Sequence, residues 1–104
     1  MSEHIYNVTI AVDPRIENEW VRWMKEVHIP EVINTGMFER FVFTQVEVEG
    51  QEYNSYSVQY YAKDLESIKL YTQMYAPELK EKHNSKYGDK ALGFRTLLRV
   101  IDKS

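Results

Sequence analysis

The sequence predicts an α+β domain with the element order β-α-β-β-α-β, the ferredoxin-like plan, in which a four-stranded antiparallel sheet carries two helices on one face. Two stretches with apolar residues at helical spacing each follow a stretch with the alternation of a strand. Between them, two alternating stretches flank a glycine-containing turn, which indicates a hairpin. The length of 104 residues, with 43% apolar and 28% charged residues, suits a single domain over residues 1–104.

The first half of the chain is predicted to form a strand and a helix. Residues 5–12 alternate between apolar and polar side chains and form the first strand. Asp13 and Pro14 suit the N-cap and the first position of a helix. Its apolar stripe consists of Ile16, Trp20, Trp23, Met24 and Val27. Pro30 interrupts this stripe after His28, so a separate helical turn is expected over residues 30–34.

The second half is predicted to form a hairpin, a helix and a last strand. The hairpin strands span residues 38–49 and 53–62, with Gly50 in the turn. Asp64 is suited to cap the second helix, which Pro77 kinks or divides. The apolar stripe of this helix consists of Leu65, Ile68, Tyr71, Tyr75 and Leu79, and residues 92–101 form the last strand.

Alternation along the strands predicts two different sheet faces. The helices are expected to cover the even-numbered residues Tyr6, Val8, Ile10, Val42, Val46, Val48, Val58, Tyr60, Phe94, Leu98 and Val100. The odd-numbered face then carries the large apolar residues Ile5, Phe41, Phe43, Tyr61, Leu97 and Ile101. Because an apolar patch of this size usually marks an interaction surface, a homodimer with sheets packed face to face is expected. The alternative is a monomer in which strand bulges alter the faces.

Composition and motifs limit the possible chemistry. The absence of cysteine excludes disulfides and thiolate chemistry. Neither a signal peptide nor a membrane span is recognisable, so a cytoplasmic protein is expected. The net charge of −3 argues against nucleic acid, and the basic cluster Lys80, Lys82, Lys86 and Lys90 is interpreted as a solvated helix face. The three histidines lack metal-ligand spacing and no nucleotide-binding loop occurs, so neither a metal nor a cofactor is expected.

His28 is the candidate catalytic residue. A histidine can act as an acid or base near neutral pH, and Glu31 could pair with it if the helix continues through Pro30. The structural alternative is a histidine that bonds the last carbonyls of the first helix.

Two further groups are candidate ligand-binding residues. Trp20, Trp23, Tyr71 and Tyr75 could wall an aromatic pocket above Tyr6 and Tyr60, or they could form a packed aromatic core. On the odd-numbered face, the polar residues Asn7, Gln59 and Arg95 could bind an anion, or they could fix the register by hydrogen bonds.

Three segments carry a resemblance to a known family. They read WVRWMKEVHIPEV over residues 20–32, followed by Gly36-Met37-Phe38, then YSVQYY over residues 56–61 and FRTLL over residues 94–98. Together they resemble a bacterial family of short proteins known as domain of unknown function 4286. More distantly, the element order and the His-x-Pro helix end resemble the dimeric α/β-barrel superfamily. That resemblance implies a dimer built around paired sheets, but it implies no particular reaction.

Two hypotheses about function follow. The first is a dimeric barrel protein that binds a small hydrophobic or aromatic molecule, or a protein partner, without catalysis. The second is a cofactor-independent enzyme of the monooxygenase or isomerase type, with His28 as acid or base. The enzyme requires a solvent-connected cavity with a titratable group such as His28 at its wall, whereas a tightly packed space would leave it without a site.

Overall fold

The sheet has four antiparallel strands in the order β2-β3-β1-β4, as the computed structural model of residues 3–104 describes it. The strands are β1 (His4–Val12), β2 (Arg40–Gln45), β3 (Asn54–Ala62) and β4 (Ala91–Arg99). Each outer strand pairs with one inner strand, and the two inner strands pair with each other. This arrangement confirms the predicted α+β, ferredoxin-like fold class.

The first helical run is continuous through Pro30. It consists of α1 (Glu17–Trp23), a π-helical turn (Met24–His28) and α2 (Ile29–Ile33). The N–H of Ile29 donates to the carbonyl of Met24, five residues back, and this wider bond is the signature of a π turn. The expected interruption after His28 is therefore wrong. A proline within a helix lacks an N–H and crowds the carbonyl four residues before it, and the widened turn accommodates both effects.

The second helical region is divided in two. It forms α3 (Leu65–Met74) and α4 (Ala76–Tyr87), so the described chain has three helical segments instead of the two predicted. The break lies at Tyr75, whose backbone is not helical, and Pro77 occupies the first turn of α4. Asp64 caps α3 by accepting a 2.9 Å hydrogen bond from the Ser67 N–H, as predicted.

The hairpin strands are shorter than predicted. The ladder of β2 ends at Gln45, with one further bond from the Val46 N–H to the Ser55 carbonyl at 2.8 Å. Beyond this point the side chains of Val46 and Val48 are exposed. Since these side chains are not buried, their alternation with polar residues does not extend the strand.

The expected sheet faces are correct for the inner strands and wrong for the outer strands. The buried residues of β1 and β3 are all even-numbered and lie beneath the helices. However, Tyr60 pairs with Phe41 in β2, and Tyr6 pairs with Leu97 in β4, so odd-numbered residues of the outer strands face the helices. Alternation fixes which residues share a face within one strand, but the connecting loops decide how one strand aligns with the next.

This register changes the composition of the face without helices, called here the open face. Phe41, Phe43, Arg95 and Leu97 lie on the helix side instead. The large apolar residues of the open face are Ile5, Val42, Tyr61, Leu92, Phe94 and Leu98. At its centre, the Ser57 hydroxyl donates a 2.6 Å hydrogen bond to the Asn7 side chain. The open face therefore remains a mixed surface with a large apolar share.

The core lies between the helices and the two inner strands. Its largest fully buried side chains are Trp20, Met24, Ile29, Val12, Val32 and Val58. Two aromatic groups extend it: Trp20 packs against Tyr56 and Phe43, and Tyr6 packs against Phe38 and Tyr71. The aromatic content of the sequence therefore serves packing along most of the helix–sheet interface.

Candidate functional site

A cavity of about 210 Å³ lies between the helices and the sheet, on the side of β4. Tyr6 and Tyr60 contribute to its wall from the inner strands, and His28, Tyr71 and His83 contribute from the helices. On β4, the lining residues Gly93 and Arg95 are exposed, so the cavity is connected to solvent at this edge of the sheet.

Gly93 helps to keep this space open. It pairs with Ile10 on the helix side of the sheet. A Cβ atom at position 93 would lie 2.8 Å from the Thr9 carbonyl oxygen and 2.8 Å from Cγ1 of Ile10. Any larger residue must therefore displace backbone or fill the edge of the cavity.

His28 is placed at the cavity wall by the π turn. Its ring stacks on Trp23 at 5.2 Å between centroids and lies 5.8 Å from the ring of His83. Its Nδ1 atom is buried, and no residue in the range 3–104 gives it a hydrogen bond. Burial, reinforced by the charge of His83 and opposed by Glu31, lowers the pKa of His28 to about 4. The imidazole is therefore neutral near pH 7 and has a nitrogen atom without a partner.

His83 is held in one state by a buried hydrogen bond. The indole Nε1–H of Trp20 donates to Nε2 of His83 at 3.0 Å, and only 8% of His83 is exposed. An acceptor nitrogen needs its lone pair, so this bond assigns the proton of the neutral ring to Nδ1. Burial lowers the pKa of His83, with Asn84 opposing that effect. His83 is thus a fixed, neutral part of the wall beside His28.

Two cations line the same cavity. Arg95 comes from β4 and Lys80 from α4. Within residues 3–104, no carboxylate forms an ion pair with either of them. Burial, and then the charge of Arg95, lowers the pKa of Lys80. The positive charge at this end of the cavity is therefore not neutralised by a neighbouring acid.

Three tyrosine hydroxyls and the Asn84 side chain are further polar groups of the lining. Burial raises the pKa of Tyr6, Tyr60 and Tyr71, while the nearby charge of Arg95 opposes the shift in each case. All three phenols are consequently protonated near neutral pH and can donate hydrogen bonds. The cavity thus combines flat aromatic walls, hydrogen-bond donors and two cationic side chains.

Comparison with known proteins identifies the family. The family model described as Domain of unknown function (DUF4286) matches residues 3–101. The chain belongs to the DUF4286 family. This confirms the resemblance found in the sequence, and no curated protein is detectably similar to this DUF4286 protein.

Solved structures with the same fold have low sequence identity to this DUF4286 protein. HapK from Hahella chejuensis has a TM-score of 0.67 and 12% identity, covering 98% of this chain and 95% of its own. A Bacillus halodurans protein of the ethyl tert-butyl ether d (ethd) family has a TM-score of 0.65 and 14% identity over 99% and 100%. A dimeric ferredoxin-like protein from an uncultured marine organism has a TM-score of 0.63 and 15% identity over the full length of both chains. At these identities the likeness establishes the fold alone.

The DUF4286 structure brings some of the candidate residues together and separates others. His28, Tyr71 and Arg95 line the cavity with Tyr6 and Tyr60. The other candidates lie elsewhere: Trp20 in the core, Trp23 behind His28, Tyr75 stacked on Tyr71, and Asn7 and Gln59 on the open face. The expectation that Arg95 shares a face with Asn7 and Gln59 is wrong, because β4 has the opposite register.

The sequence analysis missed two titratable residues of the cavity, Lys80 and His83. Lys80 belongs to the basic cluster that was interpreted as a solvated helix face, but it lines the cavity. His83 lies four residues after Leu79 and four before Tyr87, so it falls on the apolar stripe of α4. That spacing is the signal from which His83 could have been found. The interpretation of His28 as a cap of the last helical carbonyls does not fit, because the helix continues to Ile33.

The described part of the chain has neither a cluster of metal ligands nor a membrane-spanning helix. No three histidine, aspartate or glutamate residues among positions 3–104 gather as metal ligands. No helix in that range has the length and apolar character needed to cross a membrane.

Proposed function

We propose that this DUF4286 protein binds a small molecule in the cavity between its helices and sheet, and that it works as a homodimer. The observation that carries the proposal is the unpartnered Nδ1 of His28 beside about 210 Å³ of open space. Buried polar atoms in folded proteins almost always have a hydrogen-bond partner. A ligand in the cavity would supply the partner that the described residues do not.

The size of the cavity limits the ligand. An engineered cavity of about 150 Å³ in another protein holds benzene, and drug-sized ligands occupy about 300–1,000 Å³. A cavity of about 210 Å³ therefore suits one ring with a short substituent. Tyr6 and Tyr71 pack edge to face against each other, and both line the cavity, so they offer aromatic surface against which a flat ring can pack.

Single-ring fragments can test this proposal by their effect on protein NMR signals and on thermal stability. A ligand that binds the native state raises the melting temperature by mass action. The expected result is that hits shift the resonances of His28 and Tyr71. Val8 lines the cavity, so Val8→Phe should fill it and abolish binding, whereas Leu70→Phe on the exposed surface of α3 should not. Binding that survives Val8→Phe would contradict the assignment to this cavity.

The open face supports the homodimer. Phe94 is 62% exposed, Leu92 is 61% exposed and Val42 is 37% exposed, so a second copy packed against this face would bury them. The polar residues at its centre already bond each other, as in the Ser57–Asn7 pair, so covering them costs little. Solved neighbours with this fold are described as dimeric, which agrees with this arrangement.

Solution mass tests the dimer. Light scattering at micromolar concentration should give about twice the 12.4 kDa of one chain. Phe94→Asp places a charge on the open face and should yield monomers, whereas Leu70→Asp, an exposed leucine on α3, should leave the mass unchanged. A wild-type mass of 12.4 kDa would refute the proposed assembly.

The second candidate function is a cofactor-independent enzyme that uses His28 for proton transfer. The observation that favours it is a neutral imidazole at the wall of a solvent-connected cavity, which is the arrangement required by the enzyme hypothesis. The base-sensitive compound 5-nitrobenzisoxazole, whose ring opens when a proton is removed, reports such a base. The wild type should catalyse this ring opening, and the rate should increase with pH as His28 loses its proton, with a midpoint at about 4. The His28→Gln variant should lose this activity. Equal rates in the wild type and His28→Gln would eliminate this candidate.

A further inference from the structure

We infer that the ligand is a small aromatic monoanion, with its charged oxygen at Arg95 and Lys80 and its ring against the tyrosines; this inference rests on the proposed small-molecule function. The class is defined by one anionic oxygen group on a single ring, and carboxylates and phenolates both satisfy it. The observations concern the charge of the lining, the position of Arg95 and the supply of hydrogen-bond donors.

The charge of the lining is opposite to that of the protein. The chain has 16 acidic and 13 basic residues and a net charge of −3. Yet the described residues around the cavity include Arg95 and Lys80 and no aspartate or glutamate. Glu31, the acid whose charge acts on His28, pairs with Lys82 at 2.8 Å. A negative group entering this space thus meets two cations and no competing carboxylate in the lining.

Arg95 is aimed at the cavity by the register of β4. It pairs with Val8, whose side chain also lines the cavity, so both lie on the helix side of the sheet. Its charge acts on groups from several elements around the space: Tyr6, Tyr60, Tyr71, His28, Lys80 and His83. Arg95 donates one hydrogen bond to the Tyr6 hydroxyl and has no acidic partner, so its remaining donors are available to a carboxylate or a phenolate oxygen.

Hydrogen-bond donors outnumber acceptors in the lining. The guanidinium and the ammonium only donate, and the tyrosine hydroxyls are protonated donors at neutral pH. An anionic oxygen accepts several such bonds at once, and charge-assisted bonds are stronger than neutral ones. A cationic ligand would instead be repelled by Arg95 and Lys80, so the lining selects against it.

Matched probes of equal shape and different charge test the inference. Benzoate is compared with the neutral benzamide, and 4-nitrophenolate at mildly alkaline pH is compared with the neutral 4-nitroaniline. Binding is measured by calorimetry and by the NMR signals of the Arg95 side chain. One charge-assisted hydrogen bond is worth about a tenfold change in affinity or more, so each anion should bind at least about tenfold more tightly than its neutral partner.

Substitutions at two arginines of β4 test whether Arg95 is the cation that binds the anionic group of the ligand. Arg95→Gln should weaken anion binding about tenfold and leave benzamide binding unchanged, and Arg95→Lys should restore part of the loss. The matched control is Arg99→Gln, because Arg99 is an exposed arginine on the same strand but does not line the cavity. Thermal melts establish that each variant is folded.

The outcomes separate this inference from the proposed function. If neither anion binds more tightly than its neutral partner, or if Arg95→Gln leaves anion binding unchanged, the anion inference is overturned while the small-molecule function stands. If no single-ring probe of either charge binds, both are overturned. Tight binding of benzoate alone identifies a carboxylate ligand, and tight binding of 4-nitrophenolate alone identifies a phenolate; either result supports the inference.

Discussion

Acidification from neutral pH should destabilise this protein through His28. The pKa of His28 falls from an ordinary value of 6.5 to about 4 in the folded state. At a pH between these two pKa values, His28 is protonated in the unfolded chain but not in the folded protein. The free energy of unfolding therefore decreases as the pH falls through this range. A difference of about 2.5 pKa units corresponds to about 3 kcal/mol, most of which is lost by the time the pH reaches about 4.

Urea unfolding of the wild type and of His28→Gln at several pH values between about 7 and 4 measures this effect. Glutamine does not titrate, so the stability difference between the two proteins should change by about 3 kcal/mol across the range, whatever the cost of the substitution at neutral pH. Groups common to both proteins, including His83, Glu31, Arg95 and Lys82, contribute to both curves. A stability difference that does not vary with pH, or an NMR titration of His28 near 6.5, would refute the reasoning.

Three further predictions concern packing and hydrogen bonds. Gly93→Ala should cost about 1–3 kcal/mol in urea unfolding, because the added methyl group meets a backbone oxygen at 2.8 Å; unchanged stability would contradict this contact. Trp20→Phe should cost about 2–4 kcal/mol, because it leaves the buried Nε2 of His83 without its donor and removes part of a fully buried side chain. Burial and the Glu17 carboxylate raise the pKa of Tyr56 to about 12, so Glu17→Gln should lower its midpoint in an absorbance titration only partly, since burial is the larger cause.

The sequence predicted the fold class because each element carries a local signal. Capping chemistry predicted helical starts at Asp13 and Asp64, and both side chains accept the expected backbone hydrogen bonds. Asp13 caps a short 3-10 turn (Pro14–Ile16) that directly precedes α1. The alternation in β1 and β3 located the buried face of the inner strands. Hydrophobic periodicity and caps are properties of short stretches, so one sequence is enough to find them.

What the sequence did not predict depends on relations between distant residues. The faces of β2 and β4 depend on loop geometry, so Arg95 was assigned to the wrong side of the sheet. The site was therefore only partly predicted: His28, Tyr71 and Arg95 were named, but their meeting at one cavity was not. The tryptophans could not be assigned for the same reason. An aromatic stripe has the same sequence pattern whether it lines a cavity or fills the core, and Trp20 fills the core.

The edge strand β4 belongs to two surfaces at once. Its residues alternate, so Gly93 and Arg95 border the cavity while Phe94 projects from the opposite side of the same backbone. Any displacement of this strand relative to β1 moves both surfaces together. If a ligand and a second subunit each favour a particular position of β4, the occupancy of one site must change the equilibrium constant of the other by an equal factor in both directions. Ligand affinity would then vary with the concentration of the protein itself.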